Sequence, residues 1–401
     1  MRILLLTQFF DPEPHAKGLV FARELRARGH EVQVLTGFPN YPGGKLYPGY
    51  RVRAWQRETL DGIPVLRVPL YPSHDRSAVR RCLNYASFAL SAAVGVLAVP
   101  RPDVVHVYHP PATIGTAALV ARLIRRVPIV YDIQDLWPDT VKATGMVRSA
   151  AALRMIDTWC RLIYHKANRL VVLSPGFKSA LVKRGVSADK VDVIYNWCDE
   201  EALGKKADPE EIGSPGEFKV LFAGTMGLAQ ALDPVLEGAR LCQRSAPKVR
   251  FVFVGGGVER SRLEQKAIDA GLSNVTFLPR RPPNEMGALF AAADALLVHL
   301  KDDPLFRITI PSKTQAYLLA GKPIVMGVGG DAADLVLRAK AGVVCRPEDP
   351  ESIAAAVCSL ARADVSRLEE MGRAGRSFYE KELSIRVGVS RFEEVFRSAV
   401  N

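Results

Sequence analysis

Short runs of consecutive apolar residues recur along the chain, separated by stretches in which apolar side chains return every three or four positions. The first run, Ile3 to Leu6, ends in the Pro-rich turn Asp11-Pro12-Glu13-Pro14. A run with no polar alternation is what a central parallel strand, covered on both faces, requires. Helical spacing follows from Lys17 to Arg28, where Leu19, Ala22 and Leu25 alternate with charged residues and Gly29 stops the pattern. Val32 to Thr36, Pro64 to Val68, Asp103 to Tyr108, Pro128 to Asp132, Arg169 to Leu173 and Val191 to Tyr195 continue the strand series. Strands that alternate with helices predict β-α-β units with right-handed crossovers.

Periodicity lapses over residues 203–217, GKKADPEEIGSPGEF, where charge, Gly and Pro concentrate. Such a stretch reads as a domain boundary. Beyond it Lys219 to Ala223, Arg250 to Val254, Val275 to Leu278, Ala295 to Val298, Pro323 to Met326 and Val343 to Cys345 restart the rhythm. The prediction is an α/β protein of two doubly wound, Rossmann-like domains, residues 1–202 and 203–383, facing each other across a cleft. Residues from about 366 onward read as helix, and about 384–401 are expected to pack back on the first domain. In open α/β sheets ligands lie beyond the carboxyl ends of the strands, so the loops there decide the chemistry.

Composition narrows the class. At 401 residues, 48% hydrophobic and 24% charged, the chain can bury two cores. The six cysteines contain no C-x-x-C pair, which argues against a zinc cage or a disulfide framework and fits a reducing compartment. Residues 1–200 hold 27 Lys/Arg against 16 Asp/Glu, whereas the remainder is nearly balanced. A one-sided positive field points to phosphate groups or an anionic membrane surface. Nucleic acid is disfavoured because the basic residues form no recognised module. The stretch 82–99 is apolar apart from Asn84 and serines and follows Arg76, Arg80 and Arg81. It is at the lower length limit for a spanning helix and reads better as a buried or surface-lying one.

Val254-Gly255-Gly256-Gly257 and Gly224-Thr225-Met226-Gly227 each follow a strand and let backbone approach a ligand closely. Neither is the G-x-G-x-x-G fingerprint, so nicotinamide chemistry loses support. Ile310-Pro311-Ser312-Lys313-Thr314 has the form of a helix start, where free amides, the positive dipole end and one ammonium suit a diphosphate. Arg280 and Arg281 can add charge or a stacking face.

These stretches, with RGHEVQVLTGFPNYPGG (28–44), DVVHVYHPP (103–111), VYDIQDLWPD (130–139), LFAGTMGLAQALD (221–233) and PSKTQAYLLAGKPIV (311–325), resemble the retaining GT-B glycosyltransferases of the large family four. Within that family they look like the fucosaminyltransferase-like and colanic-acid-type branch of bacterial surface polysaccharide synthesis. The resemblance implies a nucleotide-sugar donor on the C-terminal domain, an acceptor on the N-terminal domain, retention at the anomeric carbon and no bound metal or other cofactor. By position it assigns Gly224, Thr225, Gly227 and Gln230 to the diphosphate side, Gly255 and Gly256 to the site's floor, Arg280 and Arg281 to the base, and Ser312, Lys313 and Thr314 to phosphate or ribose.

Two departures stand out. The family's paired glutamates align with Ile308 and Ala316, and its diphosphate-holding Arg and Lys align with Thr225 and Gln230. Phosphate charge then falls to Lys313, to Arg307 as a second cation, and to helix N-termini. On the acceptor side Asp135 can orient or deprotonate a hydroxyl, or else cap a helix. His106 and His109 point to opposite faces of a strand, with His109 expected to face the cleft as a third catalytic candidate beside Asp135 and Lys313. Asp302-Asp303 is not the D-x-D pattern of metal-dependent transferases. Lys17 and Gly18 offer a second anion site, and Asn40 and Tyr41 lie in an aromatic loop, Gly37 to Tyr50, suited to a sugar or lipid diphosphate.

The expected activity is transfer of a sugar, an N-acetylated deoxyhexose by the branch, from a UDP-sugar to a polyprenyl-diphosphate-linked glycan. The expected place is the cytoplasm, in peripheral contact with the inner face of the membrane. A sugar-nucleotide epimerase and a non-catalytic nucleotide-sugar-binding protein of the same fold are the alternatives.

Overall fold

The computed structural model describes all residues except 15–16, 74–76, 144–145, 148 and 204–208. Arg76 and part of the 203–217 stretch therefore lie outside the described residues. The chain divides into two compact units, Met1–Tyr195 with Gly388–Asn401, and Asn196–Val387.

Unit 1 is built on β1 (Arg2–Thr7), β2 (Glu31–Gly37), β3 (Gln56–Leu60), β4 (Ile63–Val68), β5 (Val104–His109), β6 (Ile129–Ile133), β7 (Arg169–Val172) and β8 (Val191–Val193). The sheet order is β3-β4-β2-β1-β5-β6-β7-β8, parallel throughout except for β3. Strand β3 was missed by the pattern because its five residues alternate between exposed and half-buried and present no apolar run. Asp61 and Gly62, both at positive φ, make the tight turn that returns it to β4.

The helix α1 (Leu19–Ala27) buries Phe21, Ala22 and Leu25. Helix α2 (Ala78–Ala98) rests on the sheet through Phe88, Ala92 and Val96, and Gly95 lies so close that a Cβ would meet Leu35 at 2.9 Å and Val68 at 3.0 Å. Helix α3 (Gly115–Leu123) packs beside α2. The C-terminal helix Ile385–Val400 closes the unit: Glu393 accepts from Arg28 and His30, both at 2.8 Å, and Phe392 packs edge-on to Phe21.

Unit 2 contains β9 (Phe218–Ala223), β10 (Val249–Val254), β11 (Val275–Leu278), β12 (Ala295–His299), β13 (Ile324–Gly327) and β14 (Gly342–Val344), all parallel, in the order β11-β10-β9-β12-β13-β14. Its core gathers Phe222, Phe251, Phe253, Leu297 and Val325 with the inner faces of the covering helices. The boundary falls after Tyr195, not after residue 202. Glu200 ties the intervening segment to unit 2, accepting from the Tyr379 hydroxyl and from the Ile385 amide, each at 2.8 Å.

Candidate active site

Strands β9 and β10 end side by side, and their following loops meet without intervening side chains. Gly224, Gly255 and Gly257 stand at φ of 130°, 141° and 147°, where a Cβ is strained. Contact forbids one as well: a Cβ on Gly255 would run into the Gly224 carbonyl oxygen, and one on Gly257 into that of Met226. The Met226 amide donates to the Gly256 carbonyl at 2.7 Å and locks the two loops together.

Helix Ser312–Ala320 starts opposite them, its Pro311 cap extended and its C-terminus closed by Gly321 at φ 68°. The Tyr317 hydroxyl accepts from the Ala223 amide at 3.0 Å and fixes this helix to the end of β9. A cavity of about 510 Å³ results, lined by Gly224, Thr225, the three glycines 255–257, Arg280, Arg281, Ser312, Lys313 and Ala316, with Met286, Phe290 and Tyr317 as apolar wall.

Lys313 is the centre of this arrangement. Its Nζ lies 3.5 Å from the centroid of the Phe222 ring, and its stem passes over Gly224, where a Cβ would meet Cε at 2.7 Å. No carboxylate pairs with it among the described residues, and burial pushes its pKa down to about 7. An uncompensated cation beside glycine loops and the free amides of a helix start is suited to an oxyanion. Arg281 is held by Glu210, while Arg280 is exposed at the rim.

The other donor-side expectations are met less directly. Gln230 Oε1 accepts from the Gly227 amide at 2.9 Å, so this pair shapes the turn and does not line the cavity. Thr314 is fully buried away from the cavity, its hydroxyl without a partner among the described residues. Arg307 is engaged by Asp302 at 2.9 Å on the surface, and Asp303 caps a short helix. Among the described residues no group of three or more His, Cys, Asp or Glu is placed to hold a metal ion.

In unit 1 several expectations are corrected. Lys17 is entirely buried and forms an ion pair with Asp132 at 2.7 Å, so it presents no ammonium to a ligand. The start of α1 behind Gly18 is likewise occupied: the Leu19 amide donates to the Asp11 carboxylate at 2.7 Å, the chain's own anion. Asn40 is buried with its amide donating to the Phe38 carbonyl at 2.9 Å. The backbone amides of Asn40 and Tyr41 both donate to buried Glu13, which moulds the aromatic loop from within. Tyr41 stays half-buried against Phe9.

His106 bonds Asp132 at 3.2 Å in the core. His109, expected to face the cleft, is instead fully buried between the Tyr131 and Trp137 rings. Burial lowers its pKa to about 3 and keeps it neutral. Asp135 remains a candidate base: burial raises its carboxyl above the ordinary range, and its charge is felt by Tyr108 and Tyr85. It is not a helix cap, since Trp137 bonds its carbonyl oxygen and not its side chain. Sequence reasoning missed Asp132, which gathers Lys17, His106 and, at 2.6 Å, the Gln134 amide. It also missed Phe222 and Tyr317. Asp132 interrupts the apolar run of β6, and that interruption was the available signal.

Comparison with known proteins settles the class. Residues 19–197 match the Glycosyl transferase 4-like domain, and residues 217–363 match Glycosyl transferases group 1. The chain is a glycosyltransferase of the GT-B fold. This glycosyltransferase is 27% identical over 382 residues to WcaI of Escherichia coli (strain K12), named as a colanic acid biosynthesis glycosyl transferase, covering 90% of this chain and 92% of that one. It is 25% identical over 273 residues to WbjE of Pseudomonas aeruginosa, named as a glycosyltransferase, covering 66% and 67%. In fold it is similar to Anabaena HepE in complex with UDP, with a TM-score of 0.70 and 18% identity over 99% of this chain and 100% of that one. A structure described as trehalose-6-phosphate from E. coli bound with UDP-2-fluoro glucose gives 0.75 at 14% identity, over 99% of each chain.

Proposed function

We propose that this glycosyltransferase moves a sugar from a UDP-sugar to a polyprenyl-diphosphate-linked glycan in surface polysaccharide synthesis, with retention of configuration and without a metal ion. The observation that carries the reading is Lys313, buried at a helix start with no carboxylate partner among the described residues, lining one cavity with Gly224, Gly255 and Gly257. Complexes of similar fold with UDP and UDP-2-fluoro glucose support the nucleotide. The relative named for colanic acid biosynthesis supports the pathway class, and the acceptor and the N-acetylated deoxyhexose rest on the sequence resemblance to the fucosaminyltransferase-like branch.

In the proposed reaction the bond between the anomeric carbon and the β-phosphate oxygen breaks. Lys313 and the amides of the glycine loops and helix start take up the charge that develops on the leaving diphosphate. The acceptor oxygen bonds the anomeric carbon on the face the phosphate leaves. Its proton passes to the departing phosphate oxygen; on unit 1, Asp135, whose carboxyl pKa is raised by burial, is the base we assign to the acceptor side.

The test is calorimetric titration with UDP in the presence of chelator, followed by incubation with UDP-sugars and a polyprenyl-diphosphate saccharide. UDP binding that survives chelator and a glycosylated lipid product support the reading. An epimerised nucleotide sugar with no transfer, or selective binding of another nucleotide, overturns it.

A further inference from the structure

The outer face of α2 is an apolar stripe that none of the described residues covers. Val79, Leu83, Leu90, Val94 and Leu97 are 70%, 50%, 67%, 56% and 48% exposed. At 100° per residue they fall within one narrow arc, a single line down the helix. Residues 82–98 contain no charge, so no ionised side chain interrupts it. Leu123 and Ile124, at the end of α3, extend the surface at 60% and 65% exposure. Arg125 joins the two helix ends, donating to the Val96 and Val99 carbonyls at 2.6 Å each.

Length and composition alone would let this helix cross a membrane. Its opposite face is committed elsewhere. Asn84 is buried, accepting from Gln8 at 2.6 Å and donating to the Tyr71 carbonyl at 2.7 Å, and Gly95 is pressed against β2 and β4. Withdrawing the helix into hydrocarbon would strip these bonds and uncover the sheet.

The charges around the stripe identify what covers it. Exposed Arg80 and half-buried Arg81 lie at one end of α2, and Arg101, Arg122 and Arg126 lie around the other. Between Asp75 and Asp132 the only acidic residue is Asp103, and Arg2 already holds it at 2.8 Å. A second copy packed stripe to stripe would bring Arg81, Arg101, Arg122 and Arg126 toward their own counterparts, like charge against like. An anionic leaflet offers both the apolar layer and the countercharge.

We infer that the exposed faces of α2 and the end of α3 form a monotopic docking surface that lies in the interface of an anionic lipid leaflet, the stripe in the acyl boundary and the arginines among the headgroups. The inference deepens the reading of a lipid-linked acceptor, yet its chemistry belongs to unit 1 and is separable from the donor cavity.

Flotation of the full chain with phosphatidylcholine vesicles and with vesicles containing 30% phosphatidylglycerol, at low and high salt, tests it. Expected is at least tenfold stronger binding to the anionic vesicles, weakened by salt. Arg80→Ala should lose about fivefold, as one surface cation is worth. Leu90→Glu with Val94→Glu should lose tenfold or more, while melting temperature and UDP affinity stay unchanged because both side chains are exposed. Equal binding to neutral vesicles, no binding to either, or a dimer in solution that the double variant dissociates would each overturn the surface. Lys313→Ala separates the two readings: it should weaken UDP binding at least tenfold and leave flotation intact.

Discussion

Lys17 and Lys313 make an instructive pair. Each stands at the start of a helix that follows a parallel strand, and each is buried. Around Lys17 the fold supplies Asp132 at 2.7 Å, and His106 and Gln134 complete the carboxylate's partners. Burial lowers the Lys17 ammonium and would raise Asp132, but the attraction outweighs burial at the carboxyl and holds it below its ordinary value. Around Lys313 the described residues supply an aromatic ring, glycines and helix amides, and no acid. The first lysine is a finished structural ion pair; the second is a charge awaiting its counterion. Sequence context alone made both look like anion sites, and the difference is a partner contributed from a distant strand.

The most damaging way to break this contrast is Asp132→Ala, which strands a buried ammonium. Loss of about 3–5 kcal/mol of stability is expected in urea unfolding. Replacing the pair together, Lys17→Met with Asp132→Leu, should recover much of it, and failure to recover would assign Asp132 a role beyond charge pairing.

Next in size, Lys313→Ala should weaken UDP by about 1.5–3 kcal/mol, the worth of a charge-assisted bond, while leaving melting temperature unchanged or higher. Calorimetry and thermal unfolding on the same samples check it. Normal UDP affinity would remove Lys313 from the site.

The pKa of about 7 sharpens the contrast further. At pH 8 the free lysine is largely neutral, so UDP binding should take up about 0.9 proton, seen as a dependence of binding heat on buffer ionisation. UDP affinity should fall as pH rises above 7. In the nucleotide-free protein the sign reverses: the unfolded lysine holds its proton to higher pH than the folded one, so this group's contribution to stability rises as pH climbs from about 7. Lys313→Met should remove both effects.

The smallest effect tests the negative side. Arg307 is spent on Asp302 at the surface, so Arg307→Ala should change stability by less than about 0.5 kcal/mol and leave UDP affinity unaltered.

Much of this was legible in the chain. Buried parallel strands favour apolar runs, and thirteen of the fourteen strands among the described residues were placed by largely apolar stretches, with Asp132 interrupting β6 and Asp192 interrupting β8. The exception, β3, is a half-exposed edge whose Asp61-Gly62 turn was the cue. The donor cavity was legible too, because close backbone approach demands glycine and a helix start demands its own residues. Gly224, Gly255, Arg280, Ser312 and Lys313 do converge. The acceptor side was less so: Lys17 and Asn40 have the chemistry of ligand-binding residues, yet both are buried and bonded within the domain.

The sequence by itself determined two doubly wound domains, the positions of the glycine loops and the placing of Lys313 at a helix start, since these follow from local periodicity, backbone freedom and spacing. Only the tertiary structure decided which buried lysine meets a carboxylate, that His109 is enclosed by rings, and that one face of α2 stays uncovered. Those outcomes depend on which strands and helices become neighbours, and a charge or an apolar face acquires its meaning from what lies within a few ångströms of it.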